Sequence, residues 1–125
     1  LCPVSIGELV DKLSILRIKT RFIQDPDKRR YADAEARELE SILSGLNLEG
    51  IAHYLDQLTE VNSTLWRIED AIRDKEALQR FDEEFIQLAR SVYRTNDERF
   101  RIKNEINVRF GSGIREIKSY KQYGA

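Results

Sequence analysis

Arginine, lysine and amide side chains recur at helical spacing in the second half of this chain, and Asn96 and Arg99 interrupt the apolar stripe of a predicted helix there. The planar fork of an arginine suits a phosphate or a carboxylate, and neighbouring amides, carboxylates and phenols can orient such a group. This chemistry favours a small anionic ligand: a nucleotide, a sugar phosphate or a carboxylic acid. The candidate ligand-binding residues are Asn62, Glu69, Arg73, Arg90, Tyr93, Asn96, Arg99 and Lys103.

Catalytic and metal-binding templates find little support in the sequence. The one histidine, His53, lacks the His or Cys neighbour that a zinc site needs, and no histidine is placed to activate a serine or cysteine nucleophile. The Glu-x-x-His pairs of helical di-iron proteins are also missing from the sequence. We therefore expect no catalytic residue, no metal and no cofactor, and an enzyme is the less favoured class.

Composition narrows the class of protein further. With 125 residues, 41% of them hydrophobic and 34% charged, the chain is expected to form one domain over residues 1–125 with its own core. Its apolar runs are too short to cross a bilayer, and its single cysteine fits a reducing compartment, so we expect a cytoplasmic protein. A net charge of −1 and a pI of about 6.0 argue against nucleic-acid binding.

Apolar residues follow the helical period along the chain, without strand-like alternation. The first helix is expected to begin at a capping box formed by Ser5 and Glu8 and to end at residues 25–27, Asp-Pro-Asp, because the residue before a proline avoids helical geometry. The second helix is expected over residues 28–44. Its predicted apolar positions are Tyr31, Ala34 or Glu35, Leu39, Ile42 and Leu43.

A longer pair of helices is predicted to follow. Residues 51–78 carry the cleanest apolar stripe, and a fourth helix is expected to run from a cap at Asp82 to about Phe110, with Phe81 packing onto Ile86. The short connection makes these two helices an antiparallel hairpin, each helix about 40 Å long at ~1.5 Å per residue. The predicted fold is an all-α, antiparallel four-helix-type bundle built on this hairpin, with residues 114–125 as a short helix or arm.

The hairpin brings the polar candidates to one level. Opposed positions in a hairpin that turns near residue 80 have residue numbers that sum to about 160. This places Asn62 near Arg99, and Glu69 near Val92 and Tyr93. Three interpretations remain open. The residues could form an internal network in which Glu69 and Asn62 neutralise Arg99, a surface for self-association, or a pocket for the anionic ligand. A homodimer is the expected assembly.

Several segments together resemble a known family. They are residues 7–16 (GELVDKLSIL), Lys19, residues 65–73 (LWRIEDAIR), 85–86 (FI), 88–93 (LARSVY) and 96–97 (ND), Lys103, and residues 105–107 (EIN) and 117–120 (IKSY). The pattern is similar to a family of short, uncharacterised bacterial proteins, a domain of unknown function associated with lipopolysaccharide and surface-polysaccharide genes.

The resemblance implies a bacterial cytoplasmic protein that acts as a binding or accessory module linked to surface-polysaccharide biosynthesis. The alternative is a small enzyme that acts on an anionic metabolite in the polar cluster midway along the hairpin.

Overall fold

A computed structural model describes residues 4–111, which form four α-helices and no strand. The prediction of an all-α protein built on a long helical hairpin is confirmed. The predicted helix or arm at residues 114–125 lies outside the described residues. The helices are α1 (Ile6–Phe22), α2 (Pro26–Gly45), α3 (Ile51–Ala77) and α4 (Glu83–Arg109).

The ends of α1 and α2 follow from their capping residues. Ser5 Oγ accepts a hydrogen bond from the Glu8 backbone N–H at 3.1 Å, as the predicted capping box requires. Helix α2 begins two residues earlier than predicted, with Asp25 as its N-cap and Pro26 at its first position. Proline is favoured there, because the first N–H of a helix has no intrahelical acceptor to lose. The Asp-Pro-Asp segment therefore starts α2 as well as separating it from α1.

Helices α3 and α4 are joined by a tight connection, which makes them the predicted antiparallel hairpin. At the turn, Lys75 Nζ lies 3.0 Å from Asp82 Oδ2, and at the open end Tyr54 Oη lies 3.3 Å from Glu105 Oε1. Asp82 caps α4 by accepting from the Phe85 N–H at 3.0 Å, and this hydrogen bond lowers the pKa of the Asp82 carboxyl below its ordinary value. The ring of Phe81 contacts Phe85, where the sequence had pointed to Ile86.

Helix α1 occupies the centre of the molecule. It packs against α2, α3 and α4, whereas α2 packs against α1 alone among the described helices. The core lies between these elements and is made mainly of buried aliphatic side chains, with Tyr54 as an aromatic member. Its least exposed members are Val10, Leu13, Leu58, Ile102 and Ile106.

The buried face of α2 differs from the one predicted. Ala32, Ala36 and Leu43 are buried, while Tyr31 is 80% exposed and Ile42 is 50% exposed. Small alanine side chains let α2 approach α1 closely, and that choice of face turns the larger Tyr31 towards solvent. Of the predicted apolar positions, Tyr31 and Ile42 were therefore wrong as members of the buried face, whereas Leu43 is buried and Leu39 packs against the core, as predicted.

The hairpin continues past the part of the molecule that α1 covers. No side chain between residues 66 and 101 is fully buried, although Ile68, Ile72, Leu88 and Val92 are half-buried along the seam between the two helices. The end of α1 marks the boundary, since the ring of Phe22 stacks on Trp66 with centroids 5.9 Å apart. We call residues 66–93 the distal hairpin.

Candidate functional site

A buried carboxylate in α1 is the centre of the polar cluster. Asp11 is 1% exposed. The Nε of Arg99 donates to Asp11 Oδ1 at 2.8 Å, and Arg99 Nη2 donates to Asp11 Oδ2 at 2.5 Å. Two parallel, charge-assisted hydrogen bonds of this kind are the strongest pairing that an arginine makes with a carboxylate. The pair joins α1 to α4.

Helix α3 is joined to the same carboxylate through Asn62. The Nδ2 of Asn62 donates to Asp11 Oδ1 at 2.9 Å and to Ser14 Oγ at 2.8 Å. The Ser14 hydroxyl in turn donates to the backbone carbonyl of Asp11 at 2.6 Å. Asn62 and Arg99 therefore share one acceptor, and the predicted proximity of these two residues across the hairpin is confirmed.

A second ion pair lies beside the first. Lys103 Nζ is 2.9 Å from Glu8 Oε2 and 3.9 Å from Asp11 Oδ2, and the lysine side chain is 6% exposed. Burial of an ammonium group is unfavourable unless carboxylates surround it, and these two supply that environment. The α1–α3–α4 polar cluster consists of Glu8, Asp11, Ser14, Asn62, Arg99, Lys103 and Asn107.

Close contact between α1 and α4 completes the cluster. The Gly7 backbone N–H donates to Asn107 Oδ1 at 2.7 Å, across 100 residues of sequence. A Cβ atom at Gly7 would lie 2.5 Å from the Lys103 carbonyl oxygen, so only glycine allows the two helices to approach this far. Asn107 is completely buried, and its Nδ2 has no hydrogen-bond partner among the described residues.

Helical spacing explains why these side chains converge. Arg99, Lys103 and Asn107 are four residues apart and therefore share one face of α4. In α1, Asp11 and Ser14 are three residues apart and lie beside the buried Val10 and Leu13. Each helix thus presents a polar line directly next to its apolar stripe, and the lines meet where the helices cross.

The structure brings three of the eight predicted site residues together. Asn62, Arg99 and Lys103 belong to the cluster, and Asn96 is half-buried one turn before Arg99. The other four are exposed on the distal hairpin, where Arg73 Nη1 lies 3.5 Å from Asp70 Oδ1. They are Glu69, Arg73, Arg90 and Tyr93.

The carboxylate that binds Arg99 is Asp11, whereas the sequence had suggested Glu69. Reasoning on the hairpin alone could not identify Asp11, because that residue comes from a helix whose docking site was unknown. A signal was nevertheless present: Asp11 lies between apolar residues of α1, directly after Val10 and two residues before Leu13. A carboxylate at such a position must find a cation or a donor when the helix packs.

A surface groove runs between α3 and α4 on the side away from α1. It encloses about 430 Å³ and contains none of the eight predicted ligand-binding residues. On its rim, the hydrogen bond from the Arg101 guanidinium lowers the pKa of the Glu98 carboxyl below its ordinary value. The outer groove, as we call it, is lined by Gln57, Glu60, Val61, Thr64, Arg94, Thr95, Glu98 and Ile102.

Metal-binding clusters and membrane spans are both missing from the described part of the chain. Within residues 4–111, His, Cys, Asp and Glu side chains form no group of three or more that could hold a metal ion. Helices α1 to α4 are each too short or too polar to cross a membrane.

Comparisons with known proteins found no match: no family model fits the chain, and no similar curated protein or solved structure was detected. The family resemblance described from the sequence therefore stays a prediction.

Proposed function

We propose that this chain is a non-catalytic binding or accessory module of bacterial surface-polysaccharide biosynthesis. In this proposal the α1–α3–α4 polar cluster fixes the register of the helices. The exposed face of the hairpin is the surface on which the module binds its partner. The observation that carries it is the bidentate pairing of Arg99 with the buried carboxylate of Asp11. The side chain best suited to hold an anionic substrate is engaged by the protein itself.

Charge balance within the cluster supports the same conclusion. Glu8 and Asp11 supply two negative charges, and Arg99 and Lys103 supply two positive charges, at distances of 2.5 to 3.9 Å. An anionic metabolite entering this site would have to displace Asp11 from Arg99, which would leave a buried carboxylate without its main partner. Buried polar groups of this kind are best known for specifying helix register.

The family resemblance fits a structural role for the cluster. Five of its seven residues lie in the segments that carry the resemblance: Glu8, Asp11, Ser14, Lys103 and Asn107. In this proposal, most of the residues that dock α1 on α4 are also residues that carry the resemblance. The link to surface polysaccharide comes from the gene association of the family, and it is this part of the proposal that a genetic experiment addresses.

A complementation experiment tests the proposal. In a bacterial strain lacking the gene, we expect a changed electrophoretic profile of surface polysaccharide, restored by the wild-type chain. The double variant Asp11→Asn/Arg99→Gln removes both charges of the central pair together and should also restore the profile, provided that circular dichroism shows it folded. A folded double variant that fails to complement would contradict the non-catalytic role, and a deletion without effect on the polysaccharide would contradict the pathway.

A ligand screen tests the enzyme alternative directly. A ligand present at about 100 times its dissociation constant stabilises a protein by about 2.7 kcal/mol, which thermal unfolding detects. We expect no such stabilisation from nucleotide sugars, sugar phosphates or dicarboxylates. Stabilisation of the wild-type chain that disappears in Asp11→Asn/Arg99→Gln would instead favour an enzyme or receptor for a small anion.

A further inference from the structure

The outer groove is an extended surface that the described part of the molecule leaves uncovered. Its lining residues all come from α3 and α4, and α1 packs against the opposite side of these helices through Asn62 and Arg99. Val61 and Ile102 form an apolar floor. Nearer the tip of the hairpin, Ile68 and Leu88 are half-buried.

The hydroxyl groups of the threonines in the groove already donate hydrogen bonds within their own helices. Thr64 Oγ1 donates to the Glu60 carbonyl at 3.0 Å, and Thr95 Oγ1 donates to the Ser91 carbonyl at 2.8 Å. Each hydroxyl proton is therefore used within its own helix, so that burial of these side chains against another protein leaves no donor unsatisfied.

Charges of opposite sign flank the middle of this face on both helices. Helix α3 carries Glu60 and, seven residues later on the same face, Arg67; helix α4 carries Arg94 and Glu98. Glu60, Arg67 and Arg94 form no ion pair with any residue in the range 4–111, whereas Glu98 is paired with Arg101 of its own helix at 2.6 Å. The midpoint between each acid and its base falls near residue 64 on α3 and residue 96 on α4, which are also the midpoints of the two helices.

We propose that a second copy of this chain docks on the outer groove with its hairpin antiparallel to the first. The two-fold axis passes between the copies at the level of Thr64 and Asn96. The inference rests on the proposed function only in treating the hairpin face as a binding surface; it names the partner that this surface fits.

This symmetry sets Glu60 and Glu98 each against a base. A two-fold axis perpendicular to the helices stacks α3 on the partner's α3 and α4 on the partner's α4, each pair antiparallel. Glu60 then faces the partner's Arg67, and Glu98 faces the partner's Arg94. The parallel arrangement would set Arg94 against Arg67 and Glu98 against Glu60, because these residues lie at the same levels of the hairpin. Charge therefore selects the antiparallel dimer.

The size of the face is sufficient for a stable interface. Each 27-residue helix is about 40 Å long, and two helices packed side by side are about 20 Å wide. Because the axis lies at the helix midpoints, both helices overlap over their whole length. The shared face is therefore about 800 Å² per copy, which is what each partner buries in an interface of standard size.

A charge exchange on α3 tests the arrangement. We expect sedimentation velocity to show a dimer for the wild-type chain. Arg67→Glu would place a second carboxylate against the partner's Glu60 twice in each dimer, which should raise the dissociation constant about tenfold or more. The exchanged variant Glu60→Arg/Arg67→Glu has the same composition as the wild type and should dimerise as the wild type does.

Other results would overturn the proposal. A wild-type chain that stays monomeric at high concentration excludes the dimer, and an exchanged variant that dimerises no better than Arg67→Glu excludes the antiparallel pairing. Tighter association of Arg67→Glu would indicate the parallel arrangement, in which residue 67 faces the partner's Arg94. If the wild-type chain is monomeric and the complementation experiment succeeds, only the present inference fails; if a dimer forms and complementation fails, only the proposed function does.

Cross-linking locates the axis independently. In a Cys2→Ser background, Thr64→Cys places one thiol of each copy beside the axis, where facing helices bring Cα atoms to the separation of about 4.4–6.8 Å that a disulfide needs. We expect a disulfide-linked dimer on oxidation. Gln57→Cys is the matched control, because the two copies of residue 57 would be about 20 Å apart along the helix and should not cross-link. Equal cross-linking of both variants, or none at Thr64→Cys, would contradict the arrangement.

Discussion

The carboxylate of Asp11 is a buried charge that three helices satisfy together. Arg99 neutralises it from α4, Asn62 donates to it from α3, and Ser14 joins Asn62 to the α1 backbone. Breaking a buried ion pair is more costly than replacing it, because the partner left behind keeps its charge but loses its compensation. The two members of the Asp11–Arg99 pair are unequal in this respect, since Arg99 is 27% exposed and Asp11 is 1% exposed.

Single substitutions in this pair should therefore differ in their effects. Arg99→Leu leaves the Asp11 carboxylate buried and should lower the free energy of unfolding by about 3–5 kcal/mol. Asp11→Asn leaves a guanidinium that can turn towards water, and its cost should be smaller. In urea denaturation the double variant Asp11→Asn/Arg99→Leu should be more stable than the sum of the two losses predicts, by about 1–3 kcal/mol. Additive losses would show that the pair does not act as a unit.

Of the Asp11–Arg99 pair, the sequence identified Arg99 and missed Asp11, and the reason is physical. Asn62 and Arg99 belong to consecutive helices joined by a short turn, so residue numbers alone place them at one level. Asp11 is 88 residues away from Arg99, and its position depends on how α1 docks, which local periodicity does not encode. The level at which residues of the hairpin face each other could be predicted, and contacts between the hairpin and α1 could not.

At the scale of the elements, α1 and α4 pack closely because Gly7 has no side chain to separate them. The backbone of Gly7 lies against the Lys103 carbonyl and donates to Asn107. Helix α2 uses alanines for the same purpose, which is why a pattern of large apolar residues points to Tyr31 rather than Ala32. Close approach between helices leaves a weak signal in the sequence, because small residues are common on exposed helix faces as well.

Gly7→Ala should test this contact. The new Cβ would lie 2.5 Å from a backbone oxygen, so α1 must shift away from α4, at an expected cost of about 1–3 kcal/mol in the free energy of unfolding. Gly45→Ala is the control, since nothing lies within 4 Å of a Cβ there, and it should be neutral or stabilising by up to about 1 kcal/mol. Equal effects of the two variants in thermal or urea unfolding would show that helix propensity, and not contact, determines the outcome.

At the scale of the whole molecule, stability is unevenly distributed. The core and the polar cluster lie where α1 crosses α3 and α4, whereas the distal hairpin has no fully buried side chain. Regions with few buried apolar contacts open at lower free energy than the rest of a protein.

Hydrogen exchange should reveal this difference. At a concentration where the chain is monomeric, amides of residues 66–77 and 84–93 should exchange at least about tenfold faster than those of residues 54–65 and 99–107. Mass spectrometry of the peptic fragments resolves these segments. Uniform protection along the hairpin would mean that it unfolds only together with the core, and the distal hairpin would then not be a separate unit.

The hydrogen bond from Gly7 to Asn107 also constrains the order of events during synthesis. Of the four helices, α1 leaves the ribosome first, yet its binding partners on α4 are 88 and 100 residues further along the chain. The charge of Asp11 stays hydrated until Arg99 emerges, so α1 cannot reach its final place while α4 is incomplete. Helices α3 and α4 need only a short turn to meet, and forming local contacts before distant ones is entropically favoured. The first of these helices to be made is therefore the last to be docked.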